Sequence, residues 1–414
     1  MSIYVLLKDK IYYPIRLWVY RKSIPIKVWR IRRKERIRVL FIIQSLGAWK
    51  SELLYTAMLN HTRFDPSIMV VKANDENDIL NITSYLEAKR YKYVVYDNSL
   101  PIRLLKPDII FYQKPYNGML SWELSFQKNL QSLFCYVNYA FHSIDAKWVY
   151  DQELFDYCWQ VYFENKLCVD GYVKFKGKLA GNAVVTGLPV MDEFQISKEE
   201  LGSPWKIQPI KKKKIIWAPH HSIGDSWGTH QSTFLEYADF MLEIAKKFSN
   251  DVQFAFKPHP ILRSKLNVLW GKDKTDKYYA FWETSPNTQL EEGKYLGLFK
   301  HSDAMIHDCV SFTIEYLYTG NPALFLCRRG DDTEEYLNNF AKQAKYCHYF
   351  ASDEQDIQSF IEHVISGDDK MLSERESFYK ENLVPPGKQG SVNNIIEAIL
   401  GSNKSTNRLL NMVK

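Results

Sequence analysis

From Arg38 onward the chain alternates short, continuous apolar runs with polar stretches of helical period. The runs in the first half predict seven β-strands, at residues 39–43, 68–71, 93–96, 108–112, 133–137, 160–163 and 183–186. Stretches such as residues 50–60 predict the helices between these strands. Because the runs are apolar throughout rather than alternating with polar residues, they indicate a parallel sheet that helices cover on both faces.

The second half repeats the same α/β pattern after residue 214. Apolar runs predict strands at residues 215–218, 252–257, 304–307 and 323–327, with helices around residues 233–248 and 312–319. Gly320 and Pro322 give the second of these helices a stop signal. We therefore expect two α/β domains of similar size whose parallel sheets face a cleft, since open sheets bind ligands at the carboxyl ends of their strands.

Breaks in this pattern set the expected domain boundaries. The stretch before residue 215 contains Pro204, Pro209 and four consecutive lysines without periodicity, which is typical of a linker. The chain thus divides into an N-terminal arm, a first domain, a linker, a second domain and a C-terminal helical tail, at residues 1–37, 38–195, 196–214, 215–385 and 386–414.

The N-terminal arm is strongly basic. Twelve Lys or Arg residues stand against Asp9 and Glu35 within residues 1–38, whereas the whole chain carries a net charge of +6. The rest of the chain is therefore slightly acidic, which argues against a nucleic-acid-binding surface across its body. Tyr, Trp and aliphatic residues lie between the cations, as in segments that bind the surface of an anionic membrane.

The arm lacks the length of apolar sequence that a membrane-spanning helix needs, about 20 residues, and no signal-peptide cleavage pattern follows it. Pro14 and Pro25 predict a break into short helices. We expect residues 1–37 to attach the protein peripherally to the cytoplasmic face of a membrane. The alternative is a basic helical arm that packs on the protein's own body or on another subunit.

Composition and motifs exclude several classes of protein. The chain is 46% hydrophobic and 25% charged, which is typical of a folded soluble protein. Its six cysteines include no CxxC pair, so neither a disulfide framework nor a structural zinc site is expected. The sequence contains neither GxGxxG nor GxxxxGKS/T, the phosphate loops of dinucleotide oxidoreductases and P-loop nucleotidases.

Histidines concentrate at the predicted strand ends of the second half. The three loops that carry them contain, in order, His220, His221 and Ser222, then Lys257 and His259, then His307, Asp308 and Ser311. Because parallel strands end at one edge of a sheet, we expect these side chains to converge. Ammonium and imidazole groups suit phosphate oxygens, so the pattern predicts a phosphate-binding site. Structural histidines that cap turns are the alternative.

The helix predicted after Asp308 adds a second anion-binding element. Backbone N–H groups near its start and the Ser311 hydroxyl can hold an anion at the positive end of the helix. Asp308 as a helix N-cap is an alternative that is compatible with this role. Glu315 lies one turn further along the same face, where it can reach a ribose or a base, although an exposed surface carboxylate is equally consistent with the pattern.

In the first half, His142 follows the apolar stretch 133–141 and is a candidate catalytic base, with a structural role as the alternative. No HxH or HxxxH pair occurs with a nearby carboxylate, so we expect no tightly bound metal. We also expect no cofactor.

The order of these motifs resembles the CDP-glycerol:poly(glycerophosphate) glycerophosphotransferases. The resemblance is carried by VVTGLPVMDEF (184–194), IIWAPHHS (215–222), FKPHP (256–260), SDAMIHDCVSFTIE (302–315) and GNPALFL (320–326). This family contains GT-B enzymes of teichoic-acid, capsule or O-antigen synthesis that attach to the inner membrane face. The resemblance implies two Rossmann-like domains, with parallel sheets facing an interdomain cleft, and a metal-independent transfer. It also implies that the first domain, residues 38–195, binds the acceptor and that the second, residues 215–385, binds the nucleotide-activated donor.

The resemblance also implies roles for individual residues. His259 matches the family histidine on the donor phosphates and is a catalytic candidate. Asp308 and Ser311 occupy the family's D-x-S-S element, in which Val310 replaces one serine. The family's first-domain catalytic histidine sits in a W-H-G-T-type loop, whereas this chain has His142 in the sequence YAFHS.

The implied function is transfer of glycerol or ribitol phosphate from a CDP-activated donor to a hydroxyl of a lipid-linked cell-surface glycan, in bacteria and at the cytoplasmic face of the inner membrane. His142 would be the base, and the donor would be held by His220, His221, Ser222, Lys257, His259, His307, Asp308, Ser311 and Glu315. Two alternatives remain. One is a GT-B glycosyltransferase that uses a nucleotide sugar, of the sialyl or Kdo type; the other is a non-catalytic membrane scaffold.

Overall fold

The computed structural model describes residues 12–72, 76–97, 101–223, 232–293, 295–328 and 333–401. The chain forms two compact units. The first comprises residues 1–142, 146–192 and 384–414, and the second comprises residues 143–145 and 193–383. The outer ends of the expected arm and tail, residues 1–11 and 402–414, lie outside the described residues.

A seven-stranded parallel sheet forms the centre of the first unit. Its strands are β1 (Ile37–Ile43), β2 (Phe64–Val70), β3 (Tyr93–Val95), β4 (Ile109–Tyr112), β5 (Leu133–Val137), β6 (Cys158–Phe163) and β7 (Ala183–Val185). They lie in the order β3-β2-β1-β4-β5-β6-β7. Nearly all residues of β1, β4, β5 and β6 are buried, which explains why the sequence shows them as continuous apolar runs.

Helices connect the strands of the first sheet. The connecting helices and the N-terminal helix are α1 (Tyr13–Arg33), α2 (Glu52–Asn60), α3 (Glu76–Ala88), α4 (Ile102–Leu105), α5 (Lys147–Tyr150), α6 (Glu153–Tyr157) and α7 (Lys166–Lys176). Short 3-10 segments lie at Trp122–Leu124, Gly177–Asn182 and Pro189–Gln195.

The second unit has a six-stranded parallel sheet. Its strands are β8 (Lys213–Ala218), β9 (Val252–Phe256), β10 (Thr288–Leu290), β11 (Ala304–His307), β12 (Ala323–Leu326) and β13 (Tyr349–Ala351). They lie in the order β10-β9-β8-β11-β12-β13. The central position of β8, between β9 and β11, brings the ends of these three strands together at one edge.

Ten helices belong to the described part of the second unit: α8 (Lys198–Leu201), α9 (Phe234–Lys247), α10 (Leu262–Leu269), α11 (Lys272–Thr284), α12 (Leu296–Lys300), α13 (Val310–Glu315), α14 (Thr333–Tyr336), α15 (Asn339–Lys345), α16 (Glu354–Ser366) and α17 (Leu372–Phe378). A 3-10 turn, Tyr316–Thr319, extends α13, and a π-helical turn, Tyr379–Leu383, follows α17. The expected linker contains α8 and the buried Trp205, whose Nε1 donates to the Leu298 carbonyl at 3.2 Å. That stretch therefore packs as part of the second unit.

The C-terminal helix α18 (Ser391–Leu400) belongs to the first unit. Its Ile395 and Ile399 are fully buried, and the Asp192 carboxylate accepts the backbone N–H groups of Ser391 and Val392, both at 2.8 Å. Gly390 starts the helix at φ 84°, where a Cβ would lie 2.9 Å from the Asp192 carboxylate. The described part of the expected tail thus completes the first unit.

Helix α1 corrects the expectation of a broken arm. Pro14 lies in its first turn, where a missing N–H costs nothing, but Pro25 lies inside a helix that continues to Arg33. Tyr20 and Ile31 are buried on either side of Pro25 and fix both halves against the first unit. Within the described residues, no helix is both long enough and apolar enough to span a bilayer.

Candidate active site

Three histidines of the second unit form one cluster at the carboxyl edge of the sheet. His220 and His221 follow β8, and His259 follows β9. The ring of His221 lies 4.3 Å from that of His220 and 4.1 Å from that of His259, measured between centroids. The sequence-based expectation that these loops converge is therefore confirmed for these residues.

Local backbone contacts fix the tautomers of two of these imidazoles. Nδ1 of His259 accepts the backbone N–H of Ile261 at 3.2 Å, and Nδ1 of His220 accepts that of Ser222 at 3.3 Å. The Ser222 hydroxyl also lies 2.9 Å from Nδ1 of His220. In each neutral ring the proton therefore sits on Nε2, which makes Nε2 a hydrogen-bond donor.

All three imidazoles are neutral at physiological pH. Burial and the neighbouring rings lower the pKa of His220 to about 3, and burial with the charge of Lys265 lowers the pKa of His221. The pKa of His259 is lowered to about 4, again by burial first and then by neighbouring positive groups. A neutral cluster of this kind donates hydrogen bonds to an anion and becomes more readily protonated when the anion binds.

Asp308 anchors the loop that carries His220 and His221. Its fully buried carboxylate accepts the backbone N–H groups of His220 at 2.5 Å and Thr233 at 2.6 Å, and the Thr233 hydroxyl at 3.0 Å. Burial raises the pKa of Asp308 to about 6, although these hydrogen bonds act in the opposite direction. The carboxylate does not cap α13, whose N-cap is Cys309, so the N-cap interpretation is wrong. Asp308 instead fixes the His220 loop to the start of α9.

His307 lies in the core rather than on the surface. It is 0% exposed, its Nδ1 lies 3.1 Å from the Cys309 carbonyl, and its ring contacts Phe325 and His348 edge to face. Burial lowers its pKa well below the usual value. A direct contact between His307 and a donor phosphate is incompatible with this placement.

Lys257 and Glu315 form a second polar group beside the cluster. Lys257 is 8% exposed, and its ammonium group donates to the Gly293 carbonyl at 2.9 Å. Burial lowers its pKa, and the charges of Glu291, Glu292 and Glu315 oppose that shift. Glu315 is 7% exposed, which contradicts the exposed-carboxylate alternative. Tyr295 is hydrogen-bonded to Glu315, and its pKa is raised by its own burial and by the negative charge of Glu315.

Ser311 is exposed in the first turn of α13, so its hydroxyl is accessible to a ligand. Helix α13 has only six residues before it tightens into the 3-10 turn. A helix this short has a weak macrodipole, and Ser311 therefore acts mainly through its hydroxyl and the neighbouring backbone N–H groups.

In the first unit, His142 pairs with a carboxylate that the sequence analysis did not single out. Its Nδ1 lies 2.9 Å from Oε2 of Glu164, and its backbone N–H donates to Oε1 of Glu164 at 3.0 Å. The imidazole is 1% exposed and lies between the rings of Tyr150 and Phe163. Burial alone would raise the pKa of Glu164, but the charge and hydrogen bonds of His142 lower it. A carboxylate on Nδ1 leaves Nε2 as the proton-accepting nitrogen of a neutral ring.

Metal-binding geometry is absent from the part of the chain that the structure describes: no group of three or more His, Cys, Asp or Glu residues could hold an ion.

Comparison with known proteins identifies the fold. No known protein family and no curated protein matches the sequence. The solved structures that resemble the chain include the wall teichoic acid polymerase TagF, in a histidine-to-asparagine variant soaked with CDPG. Its TM-score is 0.61 at 10% identity, over 96% of this chain and 98% of that chain.

Two further structures show the same likeness. UDP-GlcNAc 2-epimerase from Neisseria meningitidis, bound to UDP-GlcNAc, has a TM-score of 0.58 at 16% identity, over 89% of this chain and 100% of that chain. A glycosyltransferase from Rickettsia africae has a TM-score of 0.50 at 11% identity, over 90% and 100%. Together with the two parallel sheets, this likeness confirms the predicted GT-B fold class.

Proposed function

We propose that this chain is a transferase that moves a polyol phosphate, either glycerol or ribitol phosphate, from a CDP-activated donor to a hydroxyl of a lipid-linked glycan. The observation that carries the proposal is the neutral cluster of His220, His221 and His259. Imidazole N–H groups that are already fixed by the backbone can stabilise negative charge on a diphosphate without reorganising. The likeness to TagF, solved with CDPG, supports a CDP-linked donor.

The reaction follows from this assignment. His142 is 1% exposed, so in this proposal the side chains around it move before its ring accepts the proton of the acceptor hydroxyl. The hydroxyl oxygen then attacks the β-phosphorus of the CDP-polyol. The new phosphorus–oxygen bond forms as the bond between the β-phosphorus and the bridging oxygen breaks, and CMP leaves. Nε2–H of His259 and of His220, with the Ser311 hydroxyl, stabilises the phosphate oxygens of the leaving group.

A nucleotide-sugar glycosyltransferase is the second candidate. Val310 stands where the resembling family has a serine, and one of the similar structures holds UDP-GlcNAc. The two functions give different products. Incubation with CDP-glycerol, CDP-ribitol or nucleotide sugars and a lipid-linked acceptor, followed by mass spectrometry, distinguishes CMP with a transferred phosphate from a released nucleotide with a transferred sugar.

The donor site is tested by calorimetry with CMP and CDP-glycerol. We expect His259→Ala and His220→Ala to weaken binding by about ten- to a hundredfold, because a hydrogen bond to a charged group contributes about 1.5–3 kcal/mol. We also expect affinity to rise as the pH falls, since bound phosphate favours protonation of the cluster. The control is His363→Ala on α16, which lies in the same unit.

If His259→Ala and His220→Ala both bind CMP and CDP-glycerol with unchanged affinity, these loops do not bind the donor. If the wild-type protein binds no cytidine nucleotide, the CDP-linked donor itself is wrong, and the scaffold alternative takes its place.

We also infer that α1 attaches the first unit to an anionic membrane. Five of its apolar and aromatic side chains point outward: Ile15, Trp18, Val19, Ile26 and Trp29 are each more than half exposed. Two of its basic side chains instead bond to the body of the first unit, since Arg16 donates to the Gln127 carbonyl at 2.8 Å and Arg21 to the Asp156 carbonyl at 2.8 Å. An ordinary surface helix buries such apolar side chains rather than exposing them.

Cations flank the outward face of α1. The Arg33 guanidinium lies 4.0 Å from the Trp29 ring centroid, and the Lys22 ammonium lies 5.9 Å from that of Trp18. Tryptophan rings suit the boundary between headgroups and acyl chains, and nearby cations suit anionic lipid phosphates. The face therefore combines both terms of interfacial binding, and we place the protein peripherally on the cytoplasmic leaflet.

A further inference from the structure

A cavity of about 270 Å³ opens in the first unit beside the carboxyl end of β4. Its walls include Tyr112, Lys114, Tyr116, Asn117, Trp122 and Gln127. The segment that follows β4 and the 3-10 turn at Trp122–Leu124 supply most of this lining. The carboxyl end of a parallel strand is where open α/β sheets bind ligands, yet the donor cluster lies in the second unit.

The aromatic side chains of the cavity present flat, partly solvent-exposed rings. Trp122 is 47% exposed and Tyr116 is half-buried. The Tyr116 hydroxyl lies 2.8 Å from that of Tyr139, which fixes the ring. Flat rings with one solvated face pack against the C–H face of a sugar ring and lose little conformational entropy when they do so.

The polar side chains of the cavity are held by one carboxylate. Glu153 accepts Nδ2 of Asn117 at 2.5 Å and Nε2 of Gln127 at 2.6 Å. Because both amide nitrogens donate to Glu153, the two amide oxygens are oriented as acceptors for other donors. Sugar hydroxyls are such donors, and fixed acceptors beside an aromatic wall give specificity for a polar ring.

Charge separates this cavity from a nucleotide site. Among the described residues that line it, Lys114 is the one charged side chain. A diphosphate needs more than one positive or N–H group, as the histidine cluster offers. The cavity therefore fits an uncharged saccharide better than a nucleotide.

The cavity wall and the segment just beyond it are bonded to the inner side of α1. In the wall, the Gln127 carbonyl accepts Arg16; beyond it, the Leu130 carbonyl accepts Lys27 and the Ser132 carbonyl accepts the Tyr20 hydroxyl at 3.0 Å. The outward face of the same helix carries Trp18 and Trp29. One helix, about 10–12 Å across with its side chains, thus lies between this wall and the surface that we assign to the membrane.

We propose that this cavity binds the saccharide of the lipid-linked acceptor, with the sugar ring on Trp122 and Tyr116 and its hydroxyls on the amides of Asn117 and Gln127. The inference rests on the proposed function, because it identifies the acceptor site of that transfer. Only the width of α1 separates the cavity wall from the proposed membrane surface. A glycan can therefore enter the cavity while the lipid that carries it stays in the bilayer.

The test measures sugar binding without any donor. Saturation-transfer NMR on the full chain uses the methyl glycosides of N-acetylglucosamine, N-acetylmannosamine, glucose and galactose as probes. We expect at least one to bind the wild type, and Trp122→Ala and Asn117→Ala to weaken that binding at least fivefold. Trp148→Ala is the control, because Trp148 is 58% exposed in the same unit and does not line the cavity.

Donor binding and turnover complete the test. In both cavity variants we expect unchanged calorimetric affinity for CMP and a raised KM for the lipid-linked acceptor. If no glycoside binds, or if the variants bind like the wild type, the saccharide assignment is wrong while the donor site stands. Competition by an alkyl-chain detergent alone would make the cavity an acyl-chain site. If glycosides bind but no nucleotide does, the cavity assignment stands and the proposed transfer fails.

Discussion

Glu164 determines how His142 can act. If the carboxylate holds the imidazole with Nε2 ready to accept a proton, Glu164→Gln should lower kcat at least tenfold with unchanged affinity for CMP. Steady-state kinetics and calorimetry with CMP measure the two quantities.

Asp156→Asn is the matched control for this change. Asp156 is a partly buried carboxylate of the same unit that pairs with Lys176 at 2.8 Å, so its loss should leave kcat unchanged. A Glu164→Gln protein with a normal kcat would make the His142–Glu164 pair structural and move the base to His220 or His221.

The sequence predicts which residues reach the sheet edge better than it predicts which way they face. The ends of β8 and β9 follow from the apolar runs, and so does the meeting of His220 and His259. His307 ends an equally clear strand and Asp308 follows it, yet both are fully buried. The direction of a side chain at a strand end depends on the pleat and on the packing of the next helix, which a single sequence does not reveal.

Glu164 shows a signal that sequence reasoning could have used. It directly follows β6, and β6 is paired with β5, the strand that leads toward His142. A carboxylate at the end of one strand and a histidine beyond the end of its neighbour are expected to lie close together in a parallel sheet. The strand order, which places β5 beside β6, is what turns this into a contact.

Helix α1 provides a test at the level of one element. Trp18 and Trp29 are 62% and 54% exposed, so replacing both with alanine should leave the fold intact. We expect the double variant to bind vesicles that contain phosphatidylglycerol at least tenfold more weakly in sedimentation. Raising the salt concentration should release the wild type only in part, because burial of the rings is insensitive to ionic strength.

Trp148→Ala again serves as the control. Size-exclusion chromatography tests the alternative, that the outward face of α1 contacts another subunit. Undiminished vesicle binding by the double variant would show that the outward face of α1 does not bind the membrane. A change of oligomeric state without a change in vesicle binding would make it a subunit contact. Deleting the helix is a poorer experiment, since Tyr20 and Ile31 are buried and their loss would expose the core.

Element bounds were predictable wherever the apolar run was long. The predictions for β5 and β11 match the structure, and most other strands differ by a few residues at one end. The three-residue strands β10 and β13 were missed because so short a run cannot be distinguished from a loop. Pro25 was misread because local propensity predicts a break that tertiary packing prevents.

At the level of the whole molecule, α18 makes the first unit depend on the last described residues of the chain. Ile395→Asp places a charge at a fully buried position, whereas Asn393→Asp changes an exposed one on the same helix. We expect the first variant to become sensitive to limited proteolysis within residues 38–192 and the second to remain resistant.

Calorimetry with CMP shows whether the second unit is affected in this experiment. The cluster of His220, His221 and His259 lies entirely in the second unit, so the Ile395→Asp protein should bind CMP with little change. If residues 38–192 stay resistant to protease in the Ile395→Asp protein, the first unit does not need α18 for its stability. If that protein no longer binds CMP, the second unit depends on the first for its binding site.

The bond between Asp192 and α18 also bears on how the protein is made. The two partners are 199 residues apart, and at about 5–20 residues per second a ribosome needs on the order of 10–40 s to produce the chain between them. During that interval the strands of the first unit are complete but the surface that α18 covers is bare. Helix α1 emerges long before α18. If α1 binds a membrane as we propose, the nascent chain can reach the lipid bilayer before α18 covers that surface.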